Sequence, residues 1–440
     1  MEKYDYEYSL MDYRAIEKAN INLSGLTVLS GINGCGKSTI SRWLYYIVNE
    51  DYDLATNLVR DYAKWIFDKF FDLRFASTDL NRTFRPSTDT TLRLMRLEDT
   101  INPKDPNALD NIYNLYNNYL NDFSNQLSIY LTQAEKGARR KRILNFLHVE
   151  DNNDTEEIVS TFLKREREGA LSKKQEILEN TEKRPVKAFF HHIKSNYGEA
   201  DIPSKIQLKE NHVSLIGKDS VNTLFNLNRA IYVDSPMAVS ERLSQDNYFW
   251  SDLRKLMIQP KLHNDIGKEE KKLLIRIRGI LHGYAIIKED KISDSSELYF
   301  SDNIGNKFPL DEAATGYKTF SYIQRLLENG YLNDKTLLLI DEPEAHLHPQ
   351  WIVEFARILV LIHKNVGTKI MIASHNPDMV AAIQSIARKE GELDDTNFYI
   401  ATPSETNKGK FVYKDLGPNI EDIFSSFNIA LDRIKQYGME

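Results

Sequence analysis

The chain has 440 residues, 41% hydrophobic and 28% charged, with a formal net charge of −7 and one cysteine. That length holds two domains or one domain with a large insertion, the single thiol excludes an internal disulfide framework, and the acidic balance argues against a globally basic nucleic-acid binder. No run of about 18 apolar residues occurs, and Met1-Glu2-Lys3-Tyr4-Asp5 carries no apolar signal segment, so a cytoplasmic chain without a membrane span is expected.

Residues 1–30 alternate polar and apolar and predict a small antiparallel start. The apolar run 26–29 then leads into Gly31-Ile32-Asn33-Gly34-Cys35-Gly36-Lys37-Ser38, followed by a helix-compatible stretch over 39–47. Strand, glycine loop and helix in that order make a phosphate cradle. The glycines let backbone N–H groups turn inward, and the helix start adds the positive end of its dipole. Lys37 is expected to reach the β- and γ-phosphates of ATP or GTP, and the Ser38 hydroxyl to ligate Mg²⁺. Cys35, near a helix start and Lys37, could favour a thiolate open to alkylation; a small tolerated loop residue is the preferred reading.

From residue 51 the spacing becomes helical, with Leu54, Leu58, Tyr62, Ile66 and Phe70, then Ile112, Leu115, Tyr119, Phe123 and Leu127, repeating at threes and fours. Pro86, Pro103 and Pro106 break the sets, and 151–154 marks a turn before another charged helix. This predicts a helical insertion, a lid or partner-binding segment over 51–203, between head segments 1–50 and 204–440. A basic cluster at 137–142, with Lys164, Arg165, Arg167, Lys173 and Lys174, could contact nucleic acid. Interspersed Glu135, Glu166, Glu168 and Glu176 favour a solvated helix face instead. Strands return at 206–208, 213–216 and 230–233, a helical stretch covers about 239–281, and a meander at 284–287 and 298–300 turns at 303–306.

The run Thr336-Leu337-Leu338-Leu339-Ile340 reads as a strand buried on both faces and ends in Asp341-Glu342. Beside a cradle, Asp341 is expected to hold Mg²⁺ and Glu342 to act as the base for the attacking water. A third strand, 369–373, ends in Ser374-His375, where a histidine can sense the γ-phosphate. His346 and His348 could suggest zinc, but a structural site needs four ligands, so a loop facing a second subunit is preferred. Thr315-Gly316 opens a further helix and gives another anion-binding end. Asp394, Asp395 and Glu421 read as a solvated face.

In this order the pieces resemble the ATP-binding-cassette ATPases, and more narrowly the soluble branch of structural-maintenance-of-chromosomes, RecF-like and OLD-like ATPases, over residues 10–50 and 284–380. Residues 31–38 look like Walker A, 337–342 like Walker B, 346–349 like the D-loop, His375 like the switch histidine and 314–318 like the signature. The resemblance implies an α/β P-loop ATPase head with a helical insertion, using ATP and Mg²⁺. It assigns nucleotide contacts to Asn33, Gly34, Cys35, Gly36, Lys37, Ser38 and Thr39. It also implies a head-to-head dimer in which Thr315 and Gly316 of one subunit close on the nucleotide of the other. Thr315 stands where serine is usual, and the signature's second glycine and glutamine are missing. The stretch after His375 is shorter than a fused nuclease domain, so the layout resembles the ATPase subunits of two-gene phage-defence systems of the Septu and PARIS types, whose nuclease is a separate chain. A RecF-like repair ATPase acting on DNA is the alternative; a transporter energy subunit fits less well.

Overall fold

The computed structural model describes residues 5–23, 25–80, 88–133, 138–151, 154–234, 248–261, 266–290, 295–345, 347–424 and 436. The chain forms two compact units, one of Met1–Tyr52 with Ile193–Glu440, the other Asp53–His192.

The first unit is built on a ten-stranded sheet. Its strands are β1 (Tyr6–Tyr13), β2 (Ile16–Asn22), β3 (Leu26–Ser30), β4 (Lys205–Glu210), β5 (Val213–Ser214), β6 (Arg229–Val233), β10 (Thr336–Asp341), β11 (Lys369–Ser374), β12 (Thr396–Pro403) and β13 (Phe411–Gly417). They run in the order β5-β4-β1-β2-β13-β12-β3-β11-β10-β6. The half from β12 to β6 is parallel, and the β4-β1-β2 end is antiparallel. Every residue of β3, β10 and β11 is buried, as their unbroken apolar runs require of strands covered on both faces. A separate antiparallel sheet holds β7 (Gly283–Asp290), β8 (Ser295–Asp302) and β9 (Lys307–Pro309).

One helix, α1 (Lys37–Leu80), runs from the cradle into the second unit, where the spacing had suggested separate helices. The run Asn49-Glu50-Asp51 is polar, yet all three are buried. Asn49 exchanges two 3.0 Å hydrogen bonds with the backbone of Ala230, and Asp51 accepts from the Leu224 N–H. Because these side chains are satisfied by tertiary partners, they do not compete with the helix backbone.

The second unit contains the rest of α1 with α2 (Thr88–Met95), α3 (Leu97–Thr100), α4 (Ala108–Gln133), α5 (Ala138–Phe146) and α6 (Thr155–Lys183). Asp154 caps α6 by accepting from the N–H groups of Glu156 and Glu157. The helix α7 (Val186–Tyr197) straddles the boundary between the units. Apolar faces of α1, α4 and α6 supply a core of Tyr62, Ile66, Phe70, Tyr119, Phe123 and Phe162. Pro86 lies outside the described residues.

Back in the first unit, the core packs the parallel strands against α8 (Tyr248–Ile258), α9 (Lys268–Leu281), α10 (Thr315–Glu328), α11 (Pro349–Val366) and α12 (Pro377–Glu390). The helical stretch expected over about 239–281 holds two helices among the described residues, and 239–247 lie outside them. The strands β12 and β13 carry no expectation from the sequence; they extend the sheet between β3 and β2.

Candidate functional site at the carboxyl ends of the parallel strands

Register fixes where the polar residues emerge. Ser30 pairs with Ser374 across β3 and β11, and Asp341 with Ala373 across β10 and β11, so the cradle, Asp341-Glu342 and His375 leave the sheet at one edge. In open parallel sheets this carboxyl edge is where ligands bind.

The cradle is a tight turn between β3 and α1. Gly36 has φ +100°, and a Cβ there would lie 2.7 Å from Ile16 Cγ1, so only glycine fits. Asn33 and Gly34 are exposed, Thr39 is half-buried and Ser38 is exposed at the start of α1. Lys37 is buried, its Nζ donating to the carbonyls of Gly31 at 2.8 Å and Ile32 at 3.2 Å. The ammonium is therefore held over its own loop by neutral acceptors. Cys35 is fully buried, its Sγ 3.7 Å from the Tyr413 hydroxyl, which donates to the Cys35 carbonyl. That burial removes the alkylation reading and leaves the structural one.

Asp341 is buried at the end of β10. Tyr232 donates to its Oδ2 at 2.8 Å, and the Ser41 hydroxyl lies 3.4 Å from its Oδ1. Burial pushes its carboxyl above the usual range, against the pull of hydrogen bonds from Ser38 and Tyr232. A buried carboxylate served by hydroxyl donors beside Ser38 is a hard oxygen donor set, which fits Mg²⁺. When bound, the ion would be held by Ser38 and Asp341 and would neutralise phosphate charge.

Glu342 follows with φ +45°, a left-handed backbone uncommon for glutamate. Its N–H donates to the Ala373 carbonyl at 2.7 Å, and its own carbonyl accepts from Ala345. This aims the side chain out of the sheet edge, half-exposed, with Oε1 3.1 Å from His375 Nδ1. Residues held in such conformations cluster at functional sites.

Glu344 carries no assignment from the sequence. It is buried, and its Oε1 accepts from the Ser374 hydroxyl at 2.7 Å and the His375 N–H at 3.2 Å. Burial raises its carboxyl above the usual range, with the Ser374 bond pulling the other way. The signal was present as a third acidic residue in Asp341-Glu342-Pro343-Glu344. Tyr232 was concealed differently, reading only as part of an apolar strand.

The structure thus brings together Lys37, Ser38, Asp341, Glu342 and His375 at one edge. Thr315 and Gly316 open α10. Gly316 packs so closely on Trp351 that a Cβ would come 2.6 Å from its ring. No hydrogen bond or ion pair joins them to the cradle among the described residues. His348 caps α11 through a 3.4 Å contact from the Gln350 N–H, and His346 lies outside the described residues. Asp394 and Glu421 are exposed, and the half-buried Asp395 gathers with His363 and Glu392, their ligand atoms within 4.8 Å of one another. His363 Nδ1 sits 3.2 Å from the Thr368 carbonyl and Nε2 3.6 Å from Glu392, an arrangement that a proton on the imidazole satisfies as well as an ion.

The basic residues of the helical unit are mostly paired. Arg140 is buried against Asp151 and the Leu131 carbonyl, Arg165 pairs with Glu166, Arg167 bonds Asn117 and Asn121, and Lys174 meets Asp110. These contacts weaken the phosphate-binding reading of the cluster. Residues 134–137 and the Arg139 side chain lie outside the described part.

A profile of the AAA ATPase domain family matches residues 9–380. The Old nuclease of Escherichia phage P2 is 31% identical over 93 residues, 21% of this chain, which spans only 16% of that protein's length. A Smc head domain from Pyrococcus furiosus, solved with an extended coiled coil and bound to the C-terminal domain of ScpA, is 12% identical. That alignment covers 99% of this chain and 100% of the other at a TM-score of 0.35. A Smc head with coiled coil and joint from Pyrococcus yayanosii is 10% identical over 98% and 100% at 0.38. Scores this low carry nothing about function. No described helix is long and apolar enough to cross a membrane. The family profile spans most of the chain, taking in the cradle, Asp341, Glu342 and His375, and the chain belongs to the AAA ATPase domain family.

Proposed function

We propose that this chain is an ATP-hydrolysing switch that closes head to head around ATP and controls a separate effector, a nuclease in anti-phage defence. The observation that carries the hydrolytic part is the Glu342–His375 pair, 3.1 Å apart at the strand edge that also bears Lys37 and Asp341. Phosphoryl transfer asks the protein mainly for positioning and charge. Lys37, freed from its loop carbonyls, meets the β- and γ-phosphates. Glu342 takes a proton from the attacking water, and His375 holds Glu342 and the γ-phosphate in register. The head-to-head dimer rests on the resemblance to ATP-binding-cassette ATPases, in which a second copy would present Thr315 and Gly316 to the nucleotide held by Lys37. The effector's chemistry is supported by the local likeness to the phage P2 Old nuclease.

Glu342→Gln tests the reading. With ATP and Mg²⁺ it should accumulate as a dimer in light scattering, with turnover reduced on the order of a hundredfold. Wild-type turnover in that variant would remove Glu342 as the base. Hydrolysis stimulated by DNA without any partner protein would favour a repair ATPase over an effector switch.

A further inference from the structure

We infer that Glu344 is a positioning residue for His375, the alternate hydrogen-bond acceptor for its Nδ1–H when Glu342 turns to the attacking water. The inference rests on the hydrolytic reading above and deepens it.

The imidazole of His375 faces two carboxylates. Glu342 Oε1 is 3.1 Å from Nδ1, and Glu344 Oε1 is 3.6 Å from the same nitrogen. One Nδ1–H serves one acceptor well at a time. An Nδ1–H turned to Glu342 would engage a lone pair of the group that must accept water's proton. Releasing Glu342 would leave the Nδ1–H unpaired unless a second acceptor stands nearby, and Glu344 is that acceptor.

Two further features suit it to the task. Its position is fixed, because its carboxylate grips the Ser374 hydroxyl and the His375 N–H, the residues that carry the imidazole. It also has capacity left: Glu344 Oε2 is buried without a hydrogen-bond partner, which is costly for a carboxylate unless the site uses it. The His375 side chain is 45% exposed and the Glu344 side chain 3%, so the ring has room to turn while the carboxylate is held in the packing. A small rotation of the imidazole covers the difference between the two distances. Nδ1 then donates to Glu344, Nε2 faces the γ-phosphate, and Glu342 is free. The proton stays on Nδ1 throughout; only its acceptor changes.

A double-mutant cycle on the full chain separates this role from a structural one. Glu344→Gln keeps an oxygen for Ser374 and the His375 N–H but removes the negative charge. It should lower kcat about tenfold, less than the roughly hundredfold loss of the base itself, with the KM for ATP and the melting temperature little changed. In a His375→Ala background the same substitution should change kcat by less than about twofold, since Glu344 acts through the imidazole. Equal losses in both backgrounds, or a loss confined to KM, would overturn the assignment.

Should Glu344→Gln fail to fold, the Nδ1 resonance of His375 in ¹H–¹⁵N spectra gives a second readout, assigned by its absence in His375→Ala. In Glu342→Ala the Nδ1–H should remain hydrogen-bonded, now to Glu344. A shift to the free-imidazole position would refute the proposal. Normal turnover in Glu342→Gln would remove Glu342 as the base, whereas the cycle measures coupling between Glu344 and His375 whatever the base is.

Discussion

The helical unit and the strand edge of the first unit treat charge in opposite ways. In the helical unit, side chains of opposite sign meet: Arg140 with Asp151 at 3.0 Å, Lys174 with Asp110 at 2.6 Å and Arg165 with Glu166 at 2.8 Å. At the strand edge Asp341 is buried among hydroxyls, one oxygen of Glu344 has no partner, Lys37 turns to its own loop, and Glu342 holds a left-handed backbone. A buried polar group short of partners costs about 1–3 kcal/mol. A fold keeps several such groups together where something else completes them. Between these two regions, then, paired charges accompany scaffold and the incompletely paired Glu344 accompanies the site.

The largest effect expected from breaking that distinction is at Lys37. Lys37→Ala removes the ammonium held over the cradle, and ATP affinity measured by calorimetry should fall on the order of a hundredfold, as for loss of one strong charge-stabilising donor. Unchanged affinity would mean that Lys37 belongs with the paired, structural charges. Gly36→Ala attacks the same site through the backbone. The new Cβ meets Ile16 at φ +100°, so stability should drop by about 1–3 kcal/mol and ATP binding should weaken with it. Adding Ile16→Ala relieves the clash but not the dihedral, so recovery should be partial. Full recovery would show that contact alone demands glycine.

How much of this could be read from the sequence follows the same division. Fully buried parallel strands announce themselves, because β10 and β11 must be apolar throughout, and the polar residues ending them stand out by contrast. Gly36 is legible because few residues adopt its backbone. What stayed hidden depends on tertiary partners. The polar run Asn49-Glu50-Asp51 gives no sign of burial until Ala230 and Leu224 are seen to satisfy Asn49 and Asp51. Arg140 reads as part of a solvated helix face, or at most a ligand for phosphate, until Asp151 closes on it and it is found buried. Glu344 looks like one more acid after Glu342, and only its burial against Ser374 and His375 separates it from a solvated charge.

On the paired side of the comparison, Arg140→Ala should destabilise the helical unit by about 2 kcal/mol. That is below the roughly 3–5 kcal/mol of a fully buried pair, because the Asp151 side chain is 35% exposed. Denaturant unfolding followed by circular dichroism measures it, and ATP turnover should hold. If Arg140 instead belonged to a phosphate-binding stripe, the variant would lose nucleic-acid affinity and keep its stability.

The smallest effect has the most telling sign. Asp341's carboxyl is raised in the folded protein by burial, so folding disfavours its ionised form. Below the ordinary aspartate range, near about pH 4, both states carry the proton and nothing is lost. As pH rises through the unfolded value the unfolded chain ionises first, and stability falls until the raised folded value is passed. The substitution Asp341→Asn removes this titration altogether. Without nucleotide or Mg²⁺, the variant should therefore melt higher than the wild type at neutral pH, with the gap closing as the medium is acidified toward the ordinary aspartate range. Adding Mg²⁺ and ATP should reverse the order, because binding stabilises the wild type through the carboxylate that the variant lacks. A variant less stable than wild type in both conditions would place Asp341 among the scaffold charges, with the hydroxyls of Tyr232 and Ser41 as its full complement of partners.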